Sequence, residues 1–190
     1  FDKKKIIVNN KNLGVSNSRN RAFRFCKGKY ISFIDSDDIW SKNKLKKQLR
    51  YMILKKLEFS FTSYNVIDGD SNIISNRKVN KDAKYDDLIK SNYIGLSTVM
   101  FEKKLLKQMK FPNLKTQEDF ALWLKLLKKG YKLTHMKQIL SSWRKTKNSL
   151  SSNPIQKICD AFKMYYMIEN KNLTLSIYSV LVLAYNKLKK

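Results

Sequence analysis

Apolar and polar positions alternate between two rhythms along this chain, and the changes of rhythm mark its elements. Lys3 to Lys5 lead into Ile6-Ile7-Val8, a short β-like run, and Asn9 to Gly14 reads as a loop. Ser16 or Asn17 can cap a helix over about Ser18 to Lys27, with Ala22, Phe23 and Cys26 as its apolar face and Gly28 as its stop. Tyr30 to Ile34 is apolar without clean alternation, which suits a strand covered on both faces. Strand, helix and strand in that order predict a βαβ unit with a parallel pair.

Beyond it, Leu45, Leu49, Met52, Ile53 and Leu57 recur at helical steps and predict a helix over Ser41 to Lys56. Phe59 to Tyr64 predicts a strand. Asp68 to Asn72 has hairpin-turn composition, and Asp68 and Asp70 read as turn chemistry. Asp86 to Lys90 predicts a short helix, Ser97 to Phe101 a strand, and Glu102 to Met109 a basic helix. Gln117-Glu118-Asp119 opens a strong helix that runs to Gly130, with Leu122, Trp123, Leu126 and Leu127 on its apolar side. Strand-like pieces fill Tyr131 to Ser142, and Thr146 to Asn153 is a Ser/Asn-rich loop. Ile155 to Glu169 and Leu173 to Leu188 predict two closing helices.

Charge and composition narrow the class. The 43% apolar content over 190 residues supports a folded core, so disorder is excluded. The net charge of +25 comes mostly from dispersed lysines, which suits a solvated surface and attraction to anionic membrane or anionic ligands. Arginine is sparse, and no basic block is interleaved with stacking aromatics, so no nucleic-acid groove is expected. Cys26 and Cys159 lie in apolar, helical surroundings and are expected to be reduced and buried, as in a cytoplasmic protein. His135, the single histidine, is expected to be structural. Leu173 to Leu188 is too short to span a bilayer and is expected either to pack as a helix or to lie at a membrane interface between lysines.

The candidate chemistry starts where the Tyr30 strand ends. Asp35, Asp37 and Asp38 crowd into four positions at a strand's carboxyl end, where α/β sheets bind ligands. Such carboxylates need a counter-charge, and a hard divalent cation carrying substrate phosphates fits. Arg19 and Asn20 fall in the first turn of the expected helix. An arginine there calls for a partner, either a bound nucleotide or one of the Asp35 to Asp38 carboxylates.

These pieces form an ordered set. Asn12 to Asn20, Gly28 to Trp40, Thr62 to Tyr64, Ser97 to Met100, Gln117 to Trp123, and Trp143-Arg144 with Ser149 and Ser151 together resemble the family 2 inverting glycosyltransferases of GT-A type. The likeness is to bacterial enzymes that build surface polysaccharide, and it covers about residues 8 to 153. It implies an α/β, GT-A-like (Rossmann-like) mixed sheet flanked by helices, as a partial domain over 1–153 with a C-terminal helical extension over 154–190. The family's opening strands, on the order of sixty residues, would precede residue 1, so an N-terminally truncated domain is expected.

The resemblance also implies roles. Arg19 would face the base or diphosphate of a nucleotide-sugar donor. Asp35 and Asp37 would contact the ribose. Asp37 and Asp38 would hold Mn2+ or Mg2+, Arg144 would hold the diphosphate, and Asp119, or else Glu118, would be the general base. The acceptor would be a saccharide or a lipid-linked sugar. Peripheral contact with the inner membrane face, from the cytoplasm, is expected from the +25 charge and the Leu173 to Lys190 segment. Two other readings stand beside this one. The first is a basic binding module for anionic membrane or nucleic acid. The second is a phosphoryl-transfer enzyme on Asp35, Asp37 and Asp38, which no Gly-rich phosphate loop supports.

Overall fold

The computed structural model describes residues 5–146 and 152–189. A six-stranded mixed sheet is flanked by helices. Its strands are β1 (Tyr30–Ser32), β2 (Ile39–Trp40), β3 (Phe59–Ile67), β4 (Ile73–Arg77), β5 (Met100–Glu102) and β6 (Thr134–Arg144). They lie in the order β1-β5-β3-β6-β2, and β4 pairs with the far end of β3. Among the described residues only the β3–β6 pair is parallel. The helices are α1 (Gly14–Phe23), α2 (Lys44–Leu54), α3 (Tyr85–Leu88), α4 (Glu118–Lys128), α5 (Pro154–Lys163) and α6 (Leu173–Leu188).

β3 is the axis of the sheet. Phe59 to Thr62 are buried, as the strand's apolar and small residues allow when both faces are covered. α4 packs against it and is buried on nearly every side, from Phe120 to Leu126, so its apolar content is not confined to one stripe. A chain of rings carries the core from α1 to α4: Phe23 meets Phe33 at 5.7 Å, Phe33 meets Phe101 at 5.9 Å, and Phe59 meets Trp123 at 5.2 Å. Contacts of this kind add roughly 0.5–1.5 kcal/mol each beyond burial.

Several expectations are corrected. Ile6 to Val8 form no strand, because no described strand runs beside them and three apolar residues alone make no ladder. β1 pairs instead with β5, antiparallel, so the expected parallel βαβ pair is absent there. α1 begins at Gly14, where φ is +73°, not near Ser18. Ser16 is therefore no cap; its hydroxyl, buried, donates to the Leu114 carbonyl at 2.9 Å. Arg19 consequently sits in the second turn of the helix. Leu96–Thr98 form a 3-10 turn in place of a strand start, and the basic helix after Glu102 is also a 3-10 segment. Cys159 is exposed and Cys26 half-buried, so neither is the buried hydrophobe expected, although both thiols are free. Ser149 and Ser151 lie outside the described residues.

α2 differs in kind. The inward positions are Lys44, Gln48 and Met52, while Leu45 and Ile53 face out. Lys44 Nζ donates to Gln48 Oε1 at 2.6 Å and lies over the Trp40 ring. Gln48 Nε2 in turn donates to Ser60 Oγ at 3.1 Å and to the Thr98 carbonyl at 3.0 Å. Periodicity sought an apolar stripe, but this helix docks through a polar ladder.

The C-terminal helices are tied back to the sheet layer. Asn153 and Asn172 cap α5 and α6 by accepting from Gln156 N and Leu175 N. Tyr165, fully buried in the π-helical turn between them, donates to the Ile89 carbonyl at 2.6 Å. Glu169 accepts from Tyr85 and pairs with Lys128 of α4. The two buried residues of α6 are Ser176 and Ser179, while Leu175, Leu181, Tyr185 and Leu188 face outward.

Candidate active site

Arg19, Asp35, Asp37, Asp38, Glu118, Asp119 and Arg144, far apart in sequence, all line one cavity of about 560 Å³. Local structure explains how each arrives there. α1 is fixed by groups flanking Arg19. Asn20 exchanges two hydrogen bonds with the Phe111 backbone, each 2.9 Å, and Ser16 holds Leu114. These contacts leave Arg19 between two walls. Its Nη2 donates to Asp35 Oδ1 at 2.7 Å, and its Nη1 pairs with Glu118 Oε1. Of the two partners expected for Arg19, a nucleotide or a carboxylate of the acidic loop, the structure contains the carboxylate, Asp35. Glu118 as the second partner carries no local sequence signal.

The acidic loop is held from behind. Asp35 N donates to Ser97 Oγ at 3.1 Å, and Trp40 Nε1 donates to the Ser97 carbonyl at 2.7 Å. Arg144 N donates to Asp38 Oδ1 at 3.0 Å. The Arg144 guanidinium donates to the carbonyls of Asp37, Asp68 and Gly69 and to Ser71 Oγ, at 2.8 to 3.0 Å. Arg144 therefore clamps the acidic loop to the β3–β4 turn, and that geometry makes it a support for the loop. Asp68 organises the same turn by accepting from Asp70 N and Asn72 N, which is the turn chemistry expected of it.

The opposite wall is the start of α4. Gln117 adopts a left-handed backbone, φ +65°, which is costly for a residue with a Cβ. Thr116 before it donates its N–H and its hydroxyl to Asp160 Oδ2 at 2.8 and 3.0 Å. Asp160 is buried on α5, so a C-terminal helix fixes the approach to Glu118 and Asp119. Asp160 carries no signal in the sequence, and Ser97, although it opens one of the family-like segments, gives no sign there that it underlies Asp35; both act through contacts that are distant along the chain.

Charge is finely arranged here. Burial, and then the adjacent Glu118 carboxylate, push the Asp119 carboxyl well above the ordinary range, against the pull of Arg19. Burial raises Glu118 as well. Asp38 is pushed up to about 6, chiefly by burial. A half-buried carboxylate poised near neutrality is what general-base work requires.

Among the described residues no three carboxylate, histidine or cysteine groups converge as a protein-only metal cage would need. The donors present, Asp37 and Asp38 on the cavity wall, are hard oxygens. They suit a divalent cation that takes its other ligands from water and a phosphate. A second constellation offers no competing chemistry. Ser63 Oγ lies 3.1 Å from His135 Nε2, but both are buried and His135 Nδ1 has no hydrogen-bond partner, so no base-orienting carboxylate completes a nucleophile. His135 is structural, as expected.

Comparison with known proteins points the same way. Residues 1–117 match the profile described as Glycosyl transferase family 2. The putative teichuronic acid biosynthesis glycosyltransferase TuaG of Bacillus subtilis is 34% identical over 97% of this chain and 74% of its own length. An Escherichia coli protein named UDP-Glc:alpha-D-GlcNAc-diphosphoundecaprenol beta-1,3-glucosyltransferase, WfgD, is 32% identical over 81% of this chain and 60% of its own length. Among solved structures, S. aureus TarS 1-349 in complex with UDP-GlcNAc aligns with a TM-score of 0.64 at 19% identity, over 82% of this chain and 46% of that one. The last likeness is one of fold. The chain thus spans three quarters or less of these proteins.

Proposed function

The chain belongs to glycosyl transferase family 2, and from that premise we propose that it transfers a sugar from a nucleotide-sugar donor to a saccharide or lipid-linked acceptor, with inversion, in the synthesis of a surface polysaccharide. One observation carries the proposal. Arg19 joins the acidic strand-end loop and the Glu118-Asp119 helix start across a single cavity, so donor-binding and base-bearing walls face one another.

In this reading the donor lies along the acidic loop, with Asp35 toward the ribose and Arg19 toward the diphosphate. Asp37 and Asp38 are the residues that would hold Mn2+ or Mg2+, which when bound neutralises charge on a leaving diphosphate. Asp119 takes the proton from the acceptor hydroxyl, whose oxygen then attacks the anomeric carbon opposite the leaving group. Glu118, engaged by Arg19, is the positioning partner. Arg144 keeps Asp37 and Asp38 in place from behind.

The relatives named for teichuronic acid and diphosphoundecaprenol chemistry support an acceptor on or near a membrane. No helix among the described residues is long and apolar enough to cross a bilayer. The outward apolar side chains of α6, with the +25 charge, support peripheral contact with an anionic inner membrane face, reached from the cytoplasm.

The test is a donor screen that follows release of nucleoside diphosphate with Mn2+ and membrane-lipid acceptors. Asp37→Asn and Asp119→Asn are each expected to lower turnover by about a hundredfold or more. Turnover that survives both substitutions rejects the assignment.

A further inference from the structure

The sheet itself supplies part of the cavity surface. Tyr64 of β3 stands in register with Arg77 of β4 and with Ser141 of β6, and all three line the cavity. Paired positions on neighbouring strands share a face, so these side chains form a row across the sheet. Phe59 to Ser63 are buried, but Tyr64 after them keeps part of its surface open. Its ring is backed by Gly95, where a Cβ would lie 3.5 Å from Tyr64 Cε1. Arg77 is half-buried beside it.

Both side chains are donors without a settled partner. Among the described residues Arg77 makes no ion pair, although its guanidinium carries five N–H groups and no acceptor. Charges from three groups reach the Tyr64 hydroxyl: Arg77 across the strand pair, Asp119 on the α4 wall and Asp38 on the acidic loop. Burial first, and then the two carboxylates against the pull of Arg77, push the phenol up to about 12, so it stays a neutral donor near neutral pH. An anionic ligand group would meet Asp38 and Asp119 here as well as Arg77. A neutral polyol suits all four, because each of its hydroxyls both donates and accepts.

We propose that Tyr64 and Arg77 seat the pyranose ring of the sugar being transferred, donating to its hydroxyl oxygens between the acidic loop and Asp119. This rests on the reading of the cavity as the sugar-transfer site. It gives recognition of the sugar to β3 and β4, while Arg19, Asp35 and Asp37 hold the nucleotide end. Hydroxyls are common to the transferred sugar and the acceptor. The transferred sugar is the one that must pass between the donor-bearing loop and the base, and the titrations separate the two.

Calorimetric titrations with Mn2+ compare UDP with UDP-glucose and UDP-N-acetylglucosamine, and GDP with GDP-mannose. The proteins are the whole native chain, Tyr64→Phe, Arg77→Gln and, as a control for lost charge on the same strand end, Lys78→Gln. The bare nucleotide is expected to bind all four alike. The nucleotide sugar is expected to lose about threefold or more in affinity in Tyr64→Phe and about tenfold in Arg77→Gln, and nothing in Lys78→Gln. Nucleotide-sugar binding that survives both substitutions overturns the proposal, including the case where the pair serves the acceptor instead. Equal losses for nucleotide and nucleotide sugar assign the pair to the nucleotide and overturn it too. An equal loss in Lys78→Gln reduces the effect to bulk charge and does the same. A native chain that binds a nucleotide but none of the three nucleotide sugars keeps the nucleotide site and rejects the sugar seat. A native chain that binds no nucleotide rejects the donor reading itself, and the seat with it.

Discussion

Arg19 and Glu118, 99 positions apart, are joined side chain to side chain, and the same guanidinium holds Asp35 at 2.7 Å. A single cation thus sets the spacing between the acidic loop and the start of α4. Removing it leaves Glu118 buried beside Asp119 with no counter-charge. Arg19→Met is expected to cost about 2–4 kcal/mol of stability, read from urea denaturation, because an unpaired buried charge costs more than the pair gains. Arg19→Lys should recover only part of this, since an ammonium cannot serve two carboxylates in fixed fork geometry.

Asp119 sets the expected pH dependence of transfer. Its carboxyl is raised from the ordinary value to about 7, first by burial and then by Glu118. A general base works ionised, so kcat/KM should fall as pH drops through about 7, not through the ordinary aspartate range near 4. Asp119→Asn should lower the rate by about a hundredfold to ten-thousandfold and abolish that limb. A rate profile flat between about pH 5 and pH 8 would remove Asp119 from this role.

Asp160 should act on catalysis without touching substrate. It accepts two hydrogen bonds from Thr116, immediately before the strained Gln117. Asp160→Ala is expected to lower kcat by about tenfold to a hundredfold with little change in donor KM, since small misplacements of a base are costly. Asp160→Asn keeps an acceptor oxygen and should restore most of the rate. Equal effects of the two substitutions would point to packing alone.

Lys44 makes stability depend on pH in a defined direction. Burial lowers its ammonium from the ordinary value to about 7. Between that value and the unfolded value near 10.4, the unfolded chain binds more protons, so stability rises with pH across this window. The contribution from about pH 7 to about pH 9 is on the order of 2 kcal/mol. Lys44→Met should flatten the rise in denaturation midpoints over that range. An unchanged slope would mean that Lys44 keeps its proton in the folded chain across this window.

Much of the site was legible because its residues sit in local patterns. Asp35, Asp37 and Asp38 follow an apolar strand, and Glu118-Asp119 opens a helix, so each half announces itself within a few residues. What joins the halves was not legible. Glu118 as partner of Arg19, Ser97 under Asp35, and Asp160 under Thr116 all depend on contacts between distant segments. The fold shows the same division. α6 was read with its observed bounds because Asn172 caps it and its apolar run is continuous, yet its inward serines could not be read from composition. α2 misled because Leu45, Leu49 and Ile53 supply helical periodicity, while Lys44 and Gln48 supply the contacts. Ile6 to Val8 have strand composition, but β pairing is a property of neighbours and none lies alongside.

The central claim is that the cavity joined by Arg19 binds a nucleoside diphosphate with a divalent cation at Asp37. Calorimetric titration of the chain with UDP, or GDP, in the presence and absence of Mn2+ addresses it directly. The account predicts binding that requires Mn2+ and disappears in Asp37→Asn. Binding that persists in Asp37→Asn, or no binding to a chain that circular dichroism shows to be folded, would contradict it.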